Sequence, residues 1–543
     1  MADADTQRPN ILFVLTDQER YDCTAPDGPP VETKAMDTLS EDGVRFTHAF
    51  TPISICTSAR ASLLTGRYPH SHGMLNNSHE ADSIQPNLPD GIPTFSEILA
   101  ENGYMLSYIG KWHVGNDQTP EDFGFSYLGG SDRHHDDIDE AFREYRRKRG
   151  VPVEDVDLEE EIYTHGDPRD DSQGTLVAAK APIDVEDTRA WFIAERTIEA
   201  IEEYATGQRD KPFFHRTDFY GPHHPYVVPD DAPDPDEVCR PDPDPYASMY
   251  DPNNIKRLKN YNESYENKPS VQKSYLFYRG VAEFDWDLWA EAIAKYRAFV
   301  TLIDDQLGRI RKALEEHGLH ETIVVHASDH GDFAGGHRQF NKGPLMYDDT
   351  YRIPLQVYWP KYMDKEGETN SGTCVETEQE ERTIDKPVHL HDLTATFLEM
   401  AEIDEIPEKF EAQEYGKFTS RSLVPFLKRK RKSPKDINIT NGNVGKSNFW
   451  PSSIFAQYHG DEFGLYTQRM VRTDRYKYIY NGPDIDELYD LEADPSELTN
   501  LIDDSEYVET RQDMRRRLIH WMNRTKDPNR KWVPDVLRAA NED

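Results

Sequence analysis

The chain predicts an α/β fold, a largely parallel sheet covered by helices, with a smaller unit behind it. Three observations carry that reading. Short apolar, β-branched runs alternate with longer stretches of helical periodicity along most of the chain. The first run, Ile-Leu-Phe-Val-Leu-Thr at 11–16, is of the kind that becomes a strand buried on both faces. At 543 residues, with no visible internal repeat, the chain can bury one large core and a second, smaller one.

The elements follow in order. After the strand at 11–16 come a helix over 34–41 and a strand over 44–50. Residues 94–102 read as a helix stopped by Gly103, followed by a strand over 105–109. In 190–204, Ala190, Ile193, Ile198 and Ile201 fall near one face of a helix. A strand at 213–217 precedes a long helix, from about 291 to 317, that ends at Gly318. The strand 323–327 runs into Ser-Asp-His-Gly, and a strand over 355–359 and a helix over 391–400 complete a large unit at 1–427. Lys-Arg-Lys-Arg-Lys-Ser-Pro-Lys at 428–435 is a basic island, read as a linker in preference to a nuclear signal or polyanion site. Strand-like pieces at 469–473 and 476–480 and a closing helix make a small α+β unit over 428–543. Two stretches interrupt the rhythm: 132–172 is dense in charge, and 229–269 is rich in Asp, Pro and Tyr. Both read as insertions over a face of the sheet, where substrate selectivity could sit.

Composition narrows the partners. Lys and Arg number 62 against 101 Asp and Glu, a net charge of −39, so nucleic acid and anionic membranes would be repelled. That carboxylate excess, with only 36% hydrophobic residues, reads as an acidic, halophile-type adaptation, because salt screens self-repulsion over a few ångströms. The cysteines, Cys23, Cys56, Cys239 and Cys374, form no CxxC pair, which argues against a zinc ribbon or a disulfide framework. The opening MADADTQRPN has neither a basic nor an apolar leader region, and no apolar run reaches transmembrane length, so a cytoplasmic location is expected.

Candidate chemistry lies where predicted strands end. Asp17 follows the first strand, and Asp329 with His330 follows the strand 323–327. Ligands of open α/β sheets collect at the carboxyl ends of strands. Hard oxygen donors with one imidazole point to a divalent metal, Ca²⁺ first, with Mg²⁺ or Mn²⁺ as alternatives. The residues after Cys56 predict a helix, which puts that side chain at the positive end of a dipole, suited to an oxyanion.

The run Cys-Thr-Ser-Ala-Arg-Ala-Ser-Leu-Leu-Thr-Gly-Arg at 56–67 resembles the signature of type I sulfatases, in the alkaline phosphatase superfamily. Further segments resemble the family in the same order: Leu-Thr-Asp at 15–17, Gly-Lys-Trp-His at 110–113, Gly-Pro-His-His-Pro-Tyr at 221–226 and Ser-Asp-His-Gly at 328–331. So do the stretch around Lys342 and the ending Asp-Glu-Leu-Tyr-Asp-Leu-Glu-Ala-Asp-Pro-Ser-Glu-Leu-Thr-Asn-Leu at 486–501. The resemblance implies an alkaline-phosphatase-like mixed or parallel sheet with a small C-terminal subdomain. It implies that a maturation enzyme oxidises Cys56 to formylglycine, whose hydrated aldehyde attacks the sulfur of a small-molecule or glycan sulfate ester. Asp17, Asp329 and His330 would then hold the metal, and Arg60 would orient the hydrated aldehyde. Lys111 and Lys342 would contact the sulfate, His113 would take a proton from the second hydroxyl, and His223 would meet the sulfate or leaving group. Asn77 would add a donor, with Asn76 as the competing register, while His224 would be a neighbour and Arg67 structural.

Two departures matter. Ser58 stands where the family usually has Pro or Ala, and Gln18 where many members have a second Asp. The Asp-Gln and Asp-His version is more similar to choline sulfatases and phosphonate monoester hydrolases. A phosphonate monoester or phosphodiester hydrolase using the same pocket therefore stays open. So does a non-catalytic anion-binding protein, were Cys56 not matured. The acidic insertions favour a neutral or cationic leaving group over highly sulfated glycans.

Overall fold

The computed structural model describes residues 8–81, 83–129, 140–151, 156–170, 174–207, 211–238, 240, 243–363, 382–403, 410, 416–428, 450–461 and 466–539. Eight strands form the central sheet: β1 (Ile11–Asp17), β2 (Val44–Phe46), β3 (Met105–Gly110), β4 (Ser126–Tyr127), β5 (Phe213–Pro222), β6 (Ile323–Ser328), β7 (Leu355–Tyr358) and β8 (Thr383–Ile384). Their order across the sheet is β8-β2-β7-β6-β1-β5-β3-β4. β1 runs parallel to both neighbours, with Ile11 opposite Ile323 on one side and Phe214 on the other. Only β7 runs against the rest.

The apolar run of β1 becomes a central strand because both its faces are covered. Ile11, Phe13 and Leu15 point into a core shared with Leu63, Phe95 and Phe397. Leu12 and Val14 point the other way, toward Ile193, Leu302 and Ile303. Strand alternation thus sorts consecutive residues into two cores, giving three layers. The helices Cys56–Thr65, Phe95–Glu101 and Asp392–Met400 contribute to one face, and Lys34–Asp42, Arg189–Thr206 and Trp286–Glu316 to the other.

The structure refines several expected elements. The long helix begins at Trp286, earlier than expected, because the Asp285 carboxylate accepts the Leu288 amide at 3.0 Å and caps it there. The strand expected over 44–50 divides in two. Thr47 N still reaches Ile384 O at 3.0 Å, but Ala49–Phe50 pairs with Val388–His389 in a separate ribbon. Within the charge-dense insertion, the described residues form a helix, Glu140–Arg149, and a strand, Glu159–Tyr163, which joins Leu176–Ala181 and Tyr226–Pro229 in a three-stranded sheet. Phe142 anchors that helix on Phe192, ring centroids 5.3 Å apart. Tyr246, Tyr261 and Lys268 of the second insertion are buried. The described residues of both segments are therefore packed structure, not open loops.

Behind the large unit, β9 (Ile454–Tyr458), β10 (Gln468–Arg472), β11 (Tyr476–Tyr480) and β12 (Glu487–Asp490) form an antiparallel sheet in sequence order. Leu518 and Trp521 of the helix Val508–Thr525 pack with Val471 and Tyr478 of that sheet. β9 and β12 are the strands here without a strand expectation from the sequence. Of the basic island only Lys428 falls among the described residues, and Cys239 and Cys374 also lie outside them. Among the described residues, no helix is long and apolar enough to cross a membrane.

Candidate active site

Four adjacent strands, β6, β1, β5 and β3, deliver their carboxyl ends to one place. β1 ends at Asp17, β6 leads into Asp329 and His330, β3 into Lys111, and β5 into His223. Parallel pairing is what aligns them, since every such strand presents the same end to the same edge. The helix Cys56–Thr65 starts against this edge with Cys56 as its first residue and all ten residues buried.

The side chains converge closely. Ligand atoms of Asp17, Cys56, Asp329 and His330 all lie within 4.8 Å of one another. Cys56 Sγ is 3.1 Å from His330 Nε2 and 3.7 Å from Asp17 Oδ1. His330 donates from Nδ1 to the Gly331 carbonyl at 2.9 Å, so its lone pair sits on Nε2, facing the cluster. Asp329 is held on three sides, by the Gln18 amide at 3.1 Å, its neighbour's amide at 2.9 Å, and Arg60 Nε at 2.8 Å. Two carboxylates, one lone-pair-bearing imidazole and a sulfur meeting at one point form a donor set that fits a divalent cation.

Buried charge shifts these groups in opposite directions. Burial alone would raise the Asp17 carboxyl, but the charges of Lys111, Arg60 and Lys342 outweigh it and hold it well below the usual carboxylate range. Burial and the charge of Asp17 push Asp329 up to about 6. The same two causes push the Cys56 thiol up to about 11, so the unmodified side chain stays protonated at neutral pH. Burial, with Lys342 nearby, keeps His330 neutral, the form that binds metals.

The basic residues flank this point. Lys111 Nζ pairs with Asp17 Oδ2. Lys342 Nζ donates to Gln18 Oε1 at 2.9 Å and lies 3.1 Å from His223 Nε2. His223 donates from Nδ1 to the His224 carbonyl at 2.6 Å, which leaves Nε2 as the acceptor facing that lysine. His224 stacks on His223 at 4.3 Å and meets Phe340, a neighbour as expected. Arg60 is fully buried and bridges Asp329, Asp218 and the Lys111 carbonyl, while its Nη2 has no hydrogen-bond partner among the described residues. Arg67 donates to the Thr65 and Phe410 carbonyls, a structural role.

Other polar residues named from the sequence have partners of their own. Asn77, expected to add a donor at the site, caps the helix that begins at Cys56: its Oδ1 accepts Thr57 N at 3.3 Å, while its Nδ2 and main-chain N donate to Asp461. Asn76, the competing register, accepts Ile84 N at 3.1 Å through its Oδ1. Gln18 is committed to Lys342 and, through Nε2, to Asp332 at 2.6 Å, in accord with its omission from the ligand set. His113 Nε2 lies 2.9 Å from His79 Nδ1.

Sequence reading missed five residues. Asp218, on β5, ties Arg60, Arg216 and Tyr108 together. Asp332 receives Gln18 and Tyr226, and Asp461 reaches in from the C-terminal unit. His79 and Glu80 stand behind His113. Asp218 alone had a usable signal, a carboxylate directly after the strand expected over 213–217, as Asp17 follows the one at 11–16. The others are single residues in loops, brought to the site only by folding.

The family model Sulfatase matches residues 9–403, and the model N-sulphoglucosamine sulphohydrolase, C-terminal, matches residues 335–524. The uncharacterized sulfatase YidJ of Escherichia coli is 26% identical over 97% of this chain and 89% of its own length. An N-acetylglucosamine-6-O-sulfatase of Bacteroides thetaiotaomicron is 25% identical over 96% of this chain and 88% of its own. In fold, the chain matches the crystal structure of a phosphonate monoester hydrolase of Agrobacterium radiobacter with a TM-score of 0.72, at 22% identity, over 95% of this chain and 96% of that one.

Proposed function

The chain belongs to the sulfatase family, and we propose that it hydrolyses a sulfate monoester at the point where Cys56, Asp17, Asp329 and His330 meet. One observation carries this reading: the first residue of a buried helix faces two carboxylates and a correctly tautomerised histidine, with two lysines and an arginine around them. Asp17, Asp329 and His330 would hold a divalent cation, Ca²⁺ by their hard donors, which supplies Lewis-acid charge to the sulfuryl oxygens when bound. Formylglycine derived from Cys56 would supply an oxygen nucleophile for sulfur.

The chain's own residues account for the rest. Lys111 and Lys342 offer ammonium groups to the non-bridging oxygens, and their burial keeps that attraction strong. Arg60 holds Asp329 in place and has Nη2 free for an oxygen carried at position 56. Lys342 Nζ, backed by His223 Nε2, holds a proton for the departing alcohol. His113 accepts a proton from the group at position 56 so that sulfate can leave. The relative acting on N-acetylglucosamine-6-O-sulfate supports a sulfated sugar as substrate.

A second reading, a phosphonate monoester or phosphodiester hydrolase, is favoured by Gln18 at the second carboxylate position and by the phosphonate hydrolase likeness. The test has two measurements. Mass spectrometry of the Cys56 peptide, after expression with a maturation enzyme, should show sulfur exchanged for oxygen and two hydrogens lost. Aryl sulfate should then exceed aryl phosphonate in kcat/KM. A preference for phosphonate of a hundredfold would overturn the sulfatase assignment, and an unconverted thiol without turnover would overturn both.

A further inference from the structure

We infer that Glu80 and His79 form a positioning pair that holds His113 in one tautomer, with its basic lone pair on Nδ1. The inference rests on the proposal above that His113 accepts a proton at the active site. His79 Nδ1 lies 2.9 Å from His113 Nε2, and His79 Nε2 lies 3.1 Å from Glu80 Oε1. The two rings stand 4.9 Å apart.

The direction of these bonds follows from the end of the chain of groups. A carboxylate only accepts, so Glu80 requires the proton of His79 on Nε2. The lone pair of His79 is then on Nδ1 and accepts from His113 Nε2–H. His113 is left with its lone pair on Nδ1. When Nδ1 takes up a proton, the imidazolium keeps its Nε2–H bond to His79, and the Glu80 carboxylate offsets the charge one ring away.

The backbone supports that geometry. Asn77 Oδ1 accepts Thr57 N, and Ser78 N donates to Thr57 Oγ1 at 3.3 Å, so the segment carrying His79 is pinned to the helix that begins at Cys56. On its other side Asn116 Nδ2 donates to the Ser78 carbonyl at 2.8 Å, which ties the same segment to the one carrying His113. His113 has a left-handed φ of 54°, a conformation sustained only where surrounding contacts impose it. Burial falls off outward: His113 is 2% exposed, and the His79 and Glu80 side chains 19% and 21%. Glu80 thus stands at the rim, while the base it supports is enclosed.

The test combines a spectroscopic readout on the unmatured protein with kinetics on the matured one. In ¹⁵N-histidine spectra of the cysteine form, assigned with His113→Ala, wild-type His113 should show a protonated Nε2 and a bare Nδ1. His79→Phe should mix the tautomers. In the matured enzyme His79→Phe should lower kcat by about 10²-fold and Glu80→Gln by about tenfold, with KM within threefold, as expected for support of a general base. An Nδ1–H tautomer in the wild type, or kcat within twofold in both variants, would overturn the inference. Should His79→Phe fail to fold, Glu80→Gln at the rim carries the same test. Wild-type kcat in His113→Ala would instead sink the base assignment, a result separable from the tautomer.

Discussion

Asp329 at the sheet edge and Asp348 behind the C-terminal sheet are both aspartates set among other acids and cations, and they meet different fates. Asp348 receives Arg472 at 3.0 Å and Lys477 at 2.5 Å, and Lys477 also reaches Glu497 at 2.6 Å. There the protein's own ammonium bridges the two acids and closes the cluster. At the sheet edge, Asp17 Oδ1 and His330 Nε2 turn their electron pairs toward one another 3.7 Å apart, with only the Cys56 thiol proton offered between them. Lone pairs facing lone pairs are stabilised by a cation from solution, whereas acids sharing a lysine are already balanced. The contrast teaches that buried charge alone does not mark a site; donors converging on each other do.

The largest effect that would break this contrast is metal removal. Chelation should cut kcat/KM by on the order of 10³-fold, and Ca²⁺ should restore it, because the cation is asked for several kcal/mol at the transferring group. Lys477→Met should do the opposite, costing about 3–5 kcal/mol of stability in urea titrations while kcat/KM of the folded enzyme stays within about threefold. Equal effects of both changes on turnover would erase the distinction. Asp218→Asn should fall between them. It leaves Arg60 and Arg216 short of their shared acid, so both stability and kcat should drop.

Glu497 sharpens the comparison through pH. Burial and the Asp348 charge push its carboxyl up to about 7, against Lys477. The folded state then keeps a proton that the unfolded state has already released, so stability falls as pH rises from the ordinary glutamate range to about 7. Glu497→Gln should flatten that part of a Tm-against-pH curve. The smallest effect is expected from Asn77→Ala, which removes the acceptor for Thr57 N and should cost about 1 kcal/mol, read by urea titration.

Much of this was legible in the chain. β1 and β6 announce themselves because a strand covered on both faces must be apolar throughout, and each is followed at once by its acid. Cys56, Lys111 and His223 belong to short local patterns, and short patterns survive in sequence. Asp461, Asp332, His79 and Glu80 carry no pattern, because each arrives from a loop whose path depends on distant packing. The same holds for the role of Asn77: its residue type suggested a donor, but its neighbours made it a helix cap. The packed helix Glu140–Arg149 was obscured by its charge, since only Phe142 and Arg146 are buried.

The sequence by itself determined which groups are available and that they follow strands: a cysteine opening a helix, acids and a histidine after apolar runs, and lysines in between. Tertiary structure alone decided which of them meet. Gln18 and Asp329 are 311 residues apart, and no local rule joins them. They touch because β1 and β6 pair in parallel and in register, which brings two strand ends, and the acids on them, to the same edge. Tautomers and charge states came later still, fixed by whichever carbonyl or carboxylate packing set beside each ring. The chemistry of each residue is local, but a site needs several within a few ångströms, and only the closed sheet supplies that proximity.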